Sequence, residues 1–331
     1  MEELVVNFRE NRNSFEDIKD IETVCLFGNP DEIQNPLITI CIPTYKRPNL
    51  LKRAIDSVLS QKTEMPFLVF VIDNEDDFSE TETSKLIQSY KDNRLVYYKN
   101  KKNLGMGGNW NRCGELVKTD YFALLHDDDA LLPSYIENIK HFIQKKKYDI
   151  VFSGYVQDGN PFSNNVIKKS NIIKKLFKKM LYHETTNISF SDILFLDNIC
   201  GAPTCGVLFR KSTFFESGGF DSNYYPCLDW FFFIYALTKY KCVKYNKKCG
   251  IYYWEQNASL KEDVLLGFMK QREIVINSLI KLNFPCVLYY LLLKKDFINK
   301  KRTRLEVPFY NSSFIYKLIS HLKVLKYRFE E

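Results

Sequence analysis

Along the chain, short apolar runs alternate with amphipathic stretches. Residues 37–42 read L-I-T-I-C-I, broken only by Thr39, and residues 67–72 read F-L-V-F-V-I, each an apolar run of strand length. Residues 95–98 and 121–125 repeat the signal, and 148–153, Y-D-I-V-F-S, carries it with Asp149 near its start. Between the first two runs, Leu50, Leu51, Ala54, Ile55, Val58 and Leu59 recur at helical spacing, which predicts a helix over 49–61. Further helices are predicted over 79–90, 110–117 and 133–146. Strand, short polar loop and helix in succession predict an α/β protein, its central sheet mostly parallel and right-handed in its crossovers.

Outside this block the pattern changes. Residues 1–35 are weakly patterned and read as an N-terminal extension, with a short helix or irregular cover over 16–27. After residue 154 comes a polar loop over 158–165, then an amphipathic, lysine-flanked helix over 167–181. A strand is predicted at 206–210, an apolar helix at 229–237, a short strand or connector at 241–247 and a strand at 251–254. Helices are predicted over 265–282, 285–293 and 314–325. The division is therefore 1–35, an α/β domain at 36–260 with halves 36–154 and 155–260, and a helical region at 261–331.

Composition narrows the class. With 45% hydrophobic and 26% charged residues, the 331-residue chain is globular rather than disordered. It has no apolar run of about 18 residues to cross a membrane, and M-E-E-L-V-V-N-F-R-E lacks the basic start and apolar core expected of a signal peptide. Nine cysteines without a C-x-x-C pair read as reduced thiols of a cytoplasmic protein. The net charge of +7 sits entirely in residues 281–331, which hold eleven Lys and Arg against four Asp and Glu. A basic amphipathic end suits anionic lipid headgroups, at about 1 kcal/mol per residue near the surface. The other reading is a helical bundle with a solvated basic face. No nucleic-acid motif accompanies the charge.

The chemistry concentrates in residues 124–133, L-L-H-D-D-D-A-L-L-P. Asp127, Asp128 and Asp129 follow a strand directly. Three adjacent carboxylates raise one another's pKa unless a cation lies among them. A hard divalent cation with oxygen ligands answers that need. The competing reading is a capped helix start with Pro133 in its first turn. Asp73, at the end of a predicted strand, reads as a ligand contact or as a helix cap. Asp229 likewise reads as a site residue or a cap. Gly105, Gly107 and Gly108 allow close backbone approach to a ligand.

In order, I-C-I-P-T-Y-K-R-P, A-I-D-S-V-L-S-Q, V-I-D-N, N-L-G-M-G-G-N-W-N and L-L-H-D-D-D-A-L-L-P resemble the donor half of a family 2 glycosyltransferase, over residues 36–133. A second patch, G-G-F-D followed by L-D-W, lies at 218–230. The resemblance implies the GT-A fold, Rossmann-like, with a helical basic C-terminal extension. It implies that Pro43, Thr44 and Tyr45 line the nucleotide base with Arg47 nearby, and that Asp73 and Asn74 contact uracil or ribose. Asn103, Gly105 and Asn109 fall beside the donor. Asp128 is the implied metal ligand, with Asp127 toward the ribose or the metal's water shell, and Asp129 and His126 as further ligand candidates. Asp229 is the implied general base of an inverting transfer. The implied cofactor is Mn2+ or Mg2+. The implied partners are a nucleoside-diphosphate sugar, uridine first, and a saccharide hydroxyl, lipid-linked in surface-polysaccharide synthesis at the inner face of the membrane.

This chain departs from the pattern in four places. Asn74 replaces the commoner second Asp, though an amide still accepts a hydrogen bond. His126 replaces the first Asp of a D-x-D pair, and imidazole suits manganese better than magnesium. Leu228 replaces the Glu of an E-D pair. Trp254-Glu255 stands where some relatives carry a metal-binding His, leaving Glu255 a minor candidate. One rival is a nucleotidyltransferase, against which P-T-Y-K-R-P lacks a glycine- and lysine-rich phosphate loop. Another is a degenerate, non-catalytic sugar-nucleotide-binding protein, against which Asp128 and Asp229 are retained.

Overall fold

The computed structural model describes residues 6–159, 183–188, 205–254 and 261–281. A 3-10 turn at Ser14–Asp17 precedes β1 (Thr23–Phe27), β2 (Ile38–Thr44), α1 (Pro48–Leu59), β3 (Phe67–Asp73) and α2 (Glu82–Gln88). Next come β4 (Leu95–Asn100), α3 (Gly105–Leu116), β5 (Tyr121–Leu125), β6 (Ala130–Leu131), α4 (Tyr135–Lys145) and β7 (Ile150–Asp158). Then follow β8 (Thr185–Asn187), β9 (Cys205–Arg210), α5 (Lys211–Glu216), a 3-10 turn at Ser222–Tyr224, α6 (Leu228–Lys239), β10 (Cys242–Tyr253) and α7 (Glu262–Lys281). The expected helices over 167–181, 285–293 and 314–325, and the tail 282–331, lie outside the described residues.

The strands form one sheet in the order β1-β4-β3-β2-β5-β9-β7-β10-β6, with β8 on β10. Pairing is parallel through β4-β3-β2-β5 and between β7 and β10. It is antiparallel where β1, β9, β6 and β8 join. The apolar runs are continuous because both faces are covered. Ile40, Ile42, Val69 and Val71 turn toward α1 and α4, while Cys41, Leu68, Phe70 and Ile72 turn toward α3, α5 and α6. The ends of β2 and β3 are in register, Thr44 opposite Asp73.

Four elements differ from the sequence expectation. Residues 23–27 form an edge strand on β4, so the N-terminal segment is part of the sheet. It is also tied to the far side: Asn11 donates to the carbonyls of Ser217 (2.7 Å) and Gly219 (2.8 Å). Helix α3 starts at Gly105 rather than Trp110. Glycine weakens a helix, but here it lets α3 pack closely. A Cβ on Gly107 would stand 2.5 Å from Ser222 Oγ. Strand β10 runs unbroken where two pieces are expected, its register shifting between Tyr245 and Lys248 and between Lys248 and Gly250. Residues 130–131 pair with β10 before the α4 helix begins, which delays that helix to Tyr135.

Phe220 is fully buried among Trp110 (5.2 Å between ring centres), Phe214 (5.5 Å) and Phe232 (4.6 Å). Phe220→Ala is expected to cost about 3–5 kcal/mol, read as a shift of the urea midpoint. A loss below about 1 kcal/mol would show that the ring cluster collapses to fill the gap.

Candidate active site

The four residues after β5 build the acidic loop. Asp129 N–H donates to the His126 carbonyl at 3.2 Å, and the chain re-enters the sheet as β6. The aspartates are therefore in a tight strand-to-strand turn and do not cap a helix. Asp127, Asp128 and Asp129 are all buried and point to different partners. Asp127 accepts from Thr44 Oγ1 at 2.8 Å, from Arg47 Nε at 3.2 Å and from Arg47 Nη2. Asp128 Oδ2 accepts from Arg47 Nη1 at 2.9 Å. Asp129 Oδ1 accepts from the Tyr253 N–H at 3.1 Å.

Asp128 Oδ1 and Asp129 Oδ2 are buried with no hydrogen-bond partner among the described residues. Burial pushes the Asp127 carboxyl up to about 7 even against the Arg47 charge. Burial, then the Asp128 charge, holds Asp129 well above the ordinary carboxylate range.

His126 stacks on Trp110 with ring centres 4.7 Å apart. Burial lowers its pKa to about 4, so the imidazole is neutral near pH 7. His126, Asp128 and Asp129 each offer a ligand atom, all within 4.8 Å of one another. Two orphaned carboxylate oxygens and a neutral nitrogen fit a divalent cation.

Arg47 already supplies positive charge on the other side of the loop. Arg47→Met is expected to cost about 1–2 kcal/mol, the low end for hydrogen bonds to buried charge, because Arg47 is 37% exposed. Added Mn2+ should narrow the gap in melting temperature to wild type. A gap unchanged by Mn2+ would argue against a cation in the loop.

The donor-side residues form a second network. Asp73 is fully buried, accepting from Tyr97 OH at 2.7 Å and from Glu75 N–H at 2.9 Å, and burial raises its pKa. Asn74 donates to Asn103 Oδ1 (2.9 Å) and to the Gly105 carbonyl (3.1 Å). Its own oxygen accepts from Asn100 Nδ2 (3.1 Å) and from the Leu104 N–H (2.8 Å). Its amide is thus spent on seating the start of α3. Asn109 bonds Asn100 Nδ2 (2.9 Å) and the Ile72 carbonyl (3.1 Å). Gly105 has φ +69° and open space at its Cβ position. Pro43 is buried within β2, whereas Tyr45 is exposed.

Asp229 is the second residue of α6 and partly buried. Its Oδ1 accepts from the Trp230 N–H at 2.7 Å, and burial raises its pKa to about 6. Among the described residues it makes no hydrogen bond to the other expected site residues. The loop leading to it is held by Asn111, which donates to the Phe220 carbonyl (2.9 Å) and accepts from the Phe220 N–H (2.8 Å). Trp110, the preceding residue, contacts both His126 and Phe220. Residues 198–204 and Glu255 lie outside the described residues.

Three residues here were not singled out from the sequence. Trp110 and Asn111 stand inside N-L-G-M-G-G-N-W-N, so their signal was present but unassigned. Arg53 gave none. Its Nη2 donates to the Asp128 carbonyl at 2.6 Å and its guanidinium lies 3.6 Å from the Tyr253 ring centre.

Residues 39–202 match the sequence model of the family described as Glycosyl transferase family 2. An uncharacterized glycosyltransferase of Methanocaldococcus jannaschii is 31% identical over 152 residues, 45% of this chain and 51% of that one. An uncharacterized glycosyltransferase of Rickettsia prowazekii is 38% identical over 126 residues, 37% of each chain. The chain thus spans about half or less of these relatives' length. Among solved structures, Staphylococcus aureus TarS 1–349 in complex with UDP-GlcNAc superposes with a TM-score of 0.53 at 15% identity, covering 73% of this chain and 71% of that one. The same protein in complex with UDP gives 0.52 at 14% identity, covering 73% and 65%. These likenesses establish a shared fold.

Proposed function

The chain belongs to glycosyl transferase family 2 through residues 39–202 and has the GT-A fold; from that premise we propose that it transfers a sugar from a nucleoside-diphosphate sugar to a saccharide hydroxyl, with inversion. The observation that carries the reading is the pair of buried, unpartnered carboxylate oxygens of Asp128 and Asp129 beside a neutral His126. Buried anionic oxygens are costly unless a cation completes them. Asp128, with His126 and Asp129, would hold Mn2+ or Mg2+. Such an ion supplies neutralisation of the charge on the leaving diphosphate.

The chain's own groups would act around it. Thr44 and Arg47 fix Asp127, and Arg47 Nη1 steadies Asp128. Asp229 would accept the proton of the acceptor hydroxyl as its oxygen attacks C1. The nucleoside diphosphate leaves from the opposite face, so the configuration inverts. A carboxyl raised to about 6 is a stronger base than an ordinary one and is still ionised at neutral pH.

A uridine donor is supported by the fold shared with a protein solved with UDP and UDP-GlcNAc. The basic excess of 281–331 supports an acceptor at an anionic membrane surface, a lipid-linked saccharide of polysaccharide synthesis, with the enzyme on the cytoplasmic side. Among the described residues no helix is long and apolar enough to cross a membrane. The test is turnover of UDP-, GDP- and dTDP-sugars with Mn2+, comparing wild type with Asp128→Asn and Asp229→Asn. Equal turnover in all three proteins would overturn both assignments.

A further inference from the structure

Arg53, Ser57 and Gln61 recur every four residues along one side of α1, Gln61 just beyond its last turn. Each meets the main chain of the stretch that follows β5. Arg53 Nη2 donates to the Asp128 carbonyl at 2.6 Å, and Ser57 Oγ accepts from the Leu131 N–H at 3.0 Å. Gln61 donates to the Leu132 carbonyl at 2.8 Å and accepts from the Ile136 N–H at 3.1 Å. Residues 128–136 are thereby laid along the helix, and the arginine meets them at the acidic end.

Arg53 differs from the other two in what surrounds its head. Its guanidinium lies 3.6 Å from the Tyr253 ring centre, well within stacking reach. The Tyr253 N–H in turn donates to Asp129 Oδ1 at 3.1 Å. One side chain therefore joins the Asp128 carbonyl to the residue that holds Asp129. These are the two aspartates whose other oxygens, Asp128 Oδ1 and Asp129 Oδ2, are buried without a partner among the described residues. Arg47 bonds the carboxylates of Asp127 and Asp128 directly, whereas Arg53 reaches the loop through a main-chain oxygen and a ring.

We propose that Arg53 positions the metal-binding carboxylates: by pinning the Asp128 carbonyl and the Tyr253 ring to one rigid head, it keeps Asp128 Oδ1 and Asp129 Oδ2 turned toward a shared divalent cation. The proposal rests on the metal reading above. The sign of the effect separates this role from that of a simple charge. A cation beside a metal site repels the ion, so losing the Arg53 charge alone would tighten Mn2+ binding. Losing a clamp does the reverse, since groups that orient metal ligands are typically worth about 10–100-fold in affinity. Lysine keeps the charge but lacks the flat, forked head that stacks and donates at once.

Isothermal titration of the full chain with Mn2+ alone, beside urea midpoints, tests this. Arg53→Met and Arg53→Lys should each weaken Mn2+ binding by about tenfold or more. Ser57→Ala, which loosens the same stretch away from the carboxylates, should lower the urea midpoint and leave Mn2+ affinity within about twofold. Unchanged or tighter binding in Arg53→Met overturns the proposal, as does wild-type affinity in Arg53→Lys. Equal weakening in Ser57→Ala overturns it too, because affinity would then follow general loosening. Should Arg53→Met fail to fold, Tyr253→Leu decides: it removes the stacked ring, keeps the main-chain N–H on Asp129, and should weaken Mn2+ by about tenfold. Unchanged affinity there overturns the clamp. Wild type that binds neither Mn2+ nor Mg2+ overturns the metal reading and this inference with it, whereas wild type that binds alongside unaltered Arg53 variants overturns this inference alone.

Discussion

Asp229→Asn is expected to lower kcat by about 10²–10⁴-fold, the contribution of one positioned base. The donor KM should stay within about twofold, because the lost interaction exists only in the transition state. The same substitution should stabilise the protein at high pH. Burial raises the Asp229 carboxyl to about 6 in the folded chain. Its unfolded value is about 3.9, so between these values the folded state holds more protons than the unfolded one. Stability from this group is therefore full below about pH 4 and is lost as pH rises through about 6. An amide keeps the bond from the Trp230 N–H without the charge. Urea midpoints of Asp229→Asn should exceed wild type at pH 8 and match it near pH 4. A variant that loses activity while gaining stability is not misfolded, so the pair of measurements separates a catalytic role from a structural one. Wild-type turnover should rise with pH across about 6 and then level. A variant that retains wild-type kcat would remove Asp229 from the chemistry.

How far the sequence disclosed this site depends on what each residue interacts with. The strands at 38–44, 67–73 and 121–125 were legible because burial on both faces imposes continuous apolar runs. The acidic loop was legible as a position, since carboxylates rarely end a buried strand without purpose. Its internal division of labour was not. Whether Asp127, Asp128 or Asp129 keeps an unpartnered oxygen depends on Arg47, Thr44 and Tyr253, which are remote in sequence. Asn74 shows the same limit. It sits where a base contact was expected, yet its amide is consumed by residues 100–105. The edge strand at 23–27 was legible in principle, because T-V-C-L-F is an apolar run of strand length; its half-exposed place at the sheet edge does not follow from that run.

Asp128→Asn should abolish metal-stimulated turnover, a loss of about 10²–10⁴-fold if the ion contributes the several kcal/mol usual for diphosphate neutralisation. The variant replaces the carboxylate whose Oδ1 lacks any partner, and it leaves Oδ2 able to accept from Arg47. The fold should therefore survive, and the urea midpoint should stay close to wild type. A readout independent of turnover follows from Trp110, whose ring is 4.7 Å from that of His126. Paramagnetic Mn2+ bound in the loop should quench this fluorescence in wild type and fail to do so in Asp128→Asn. His126→Ala separates the imidazole from the carboxylates: it should cost Mn2+ activation more than Mg2+ activation, because nitrogen favours manganese. Asp129 is distinct again, since its Oδ1 holds the Tyr253 N–H and so joins the loop to β10. Asp129→Asn should keep that bond and weaken Mn2+ binding less than Asp128→Asn does. Equal quenching and equal activation in Asp128→Asn and wild type would mean that the ion, if one binds, is held elsewhere. In that case Arg47, already bonded to Asp127 and Asp128, would be the cation of this loop.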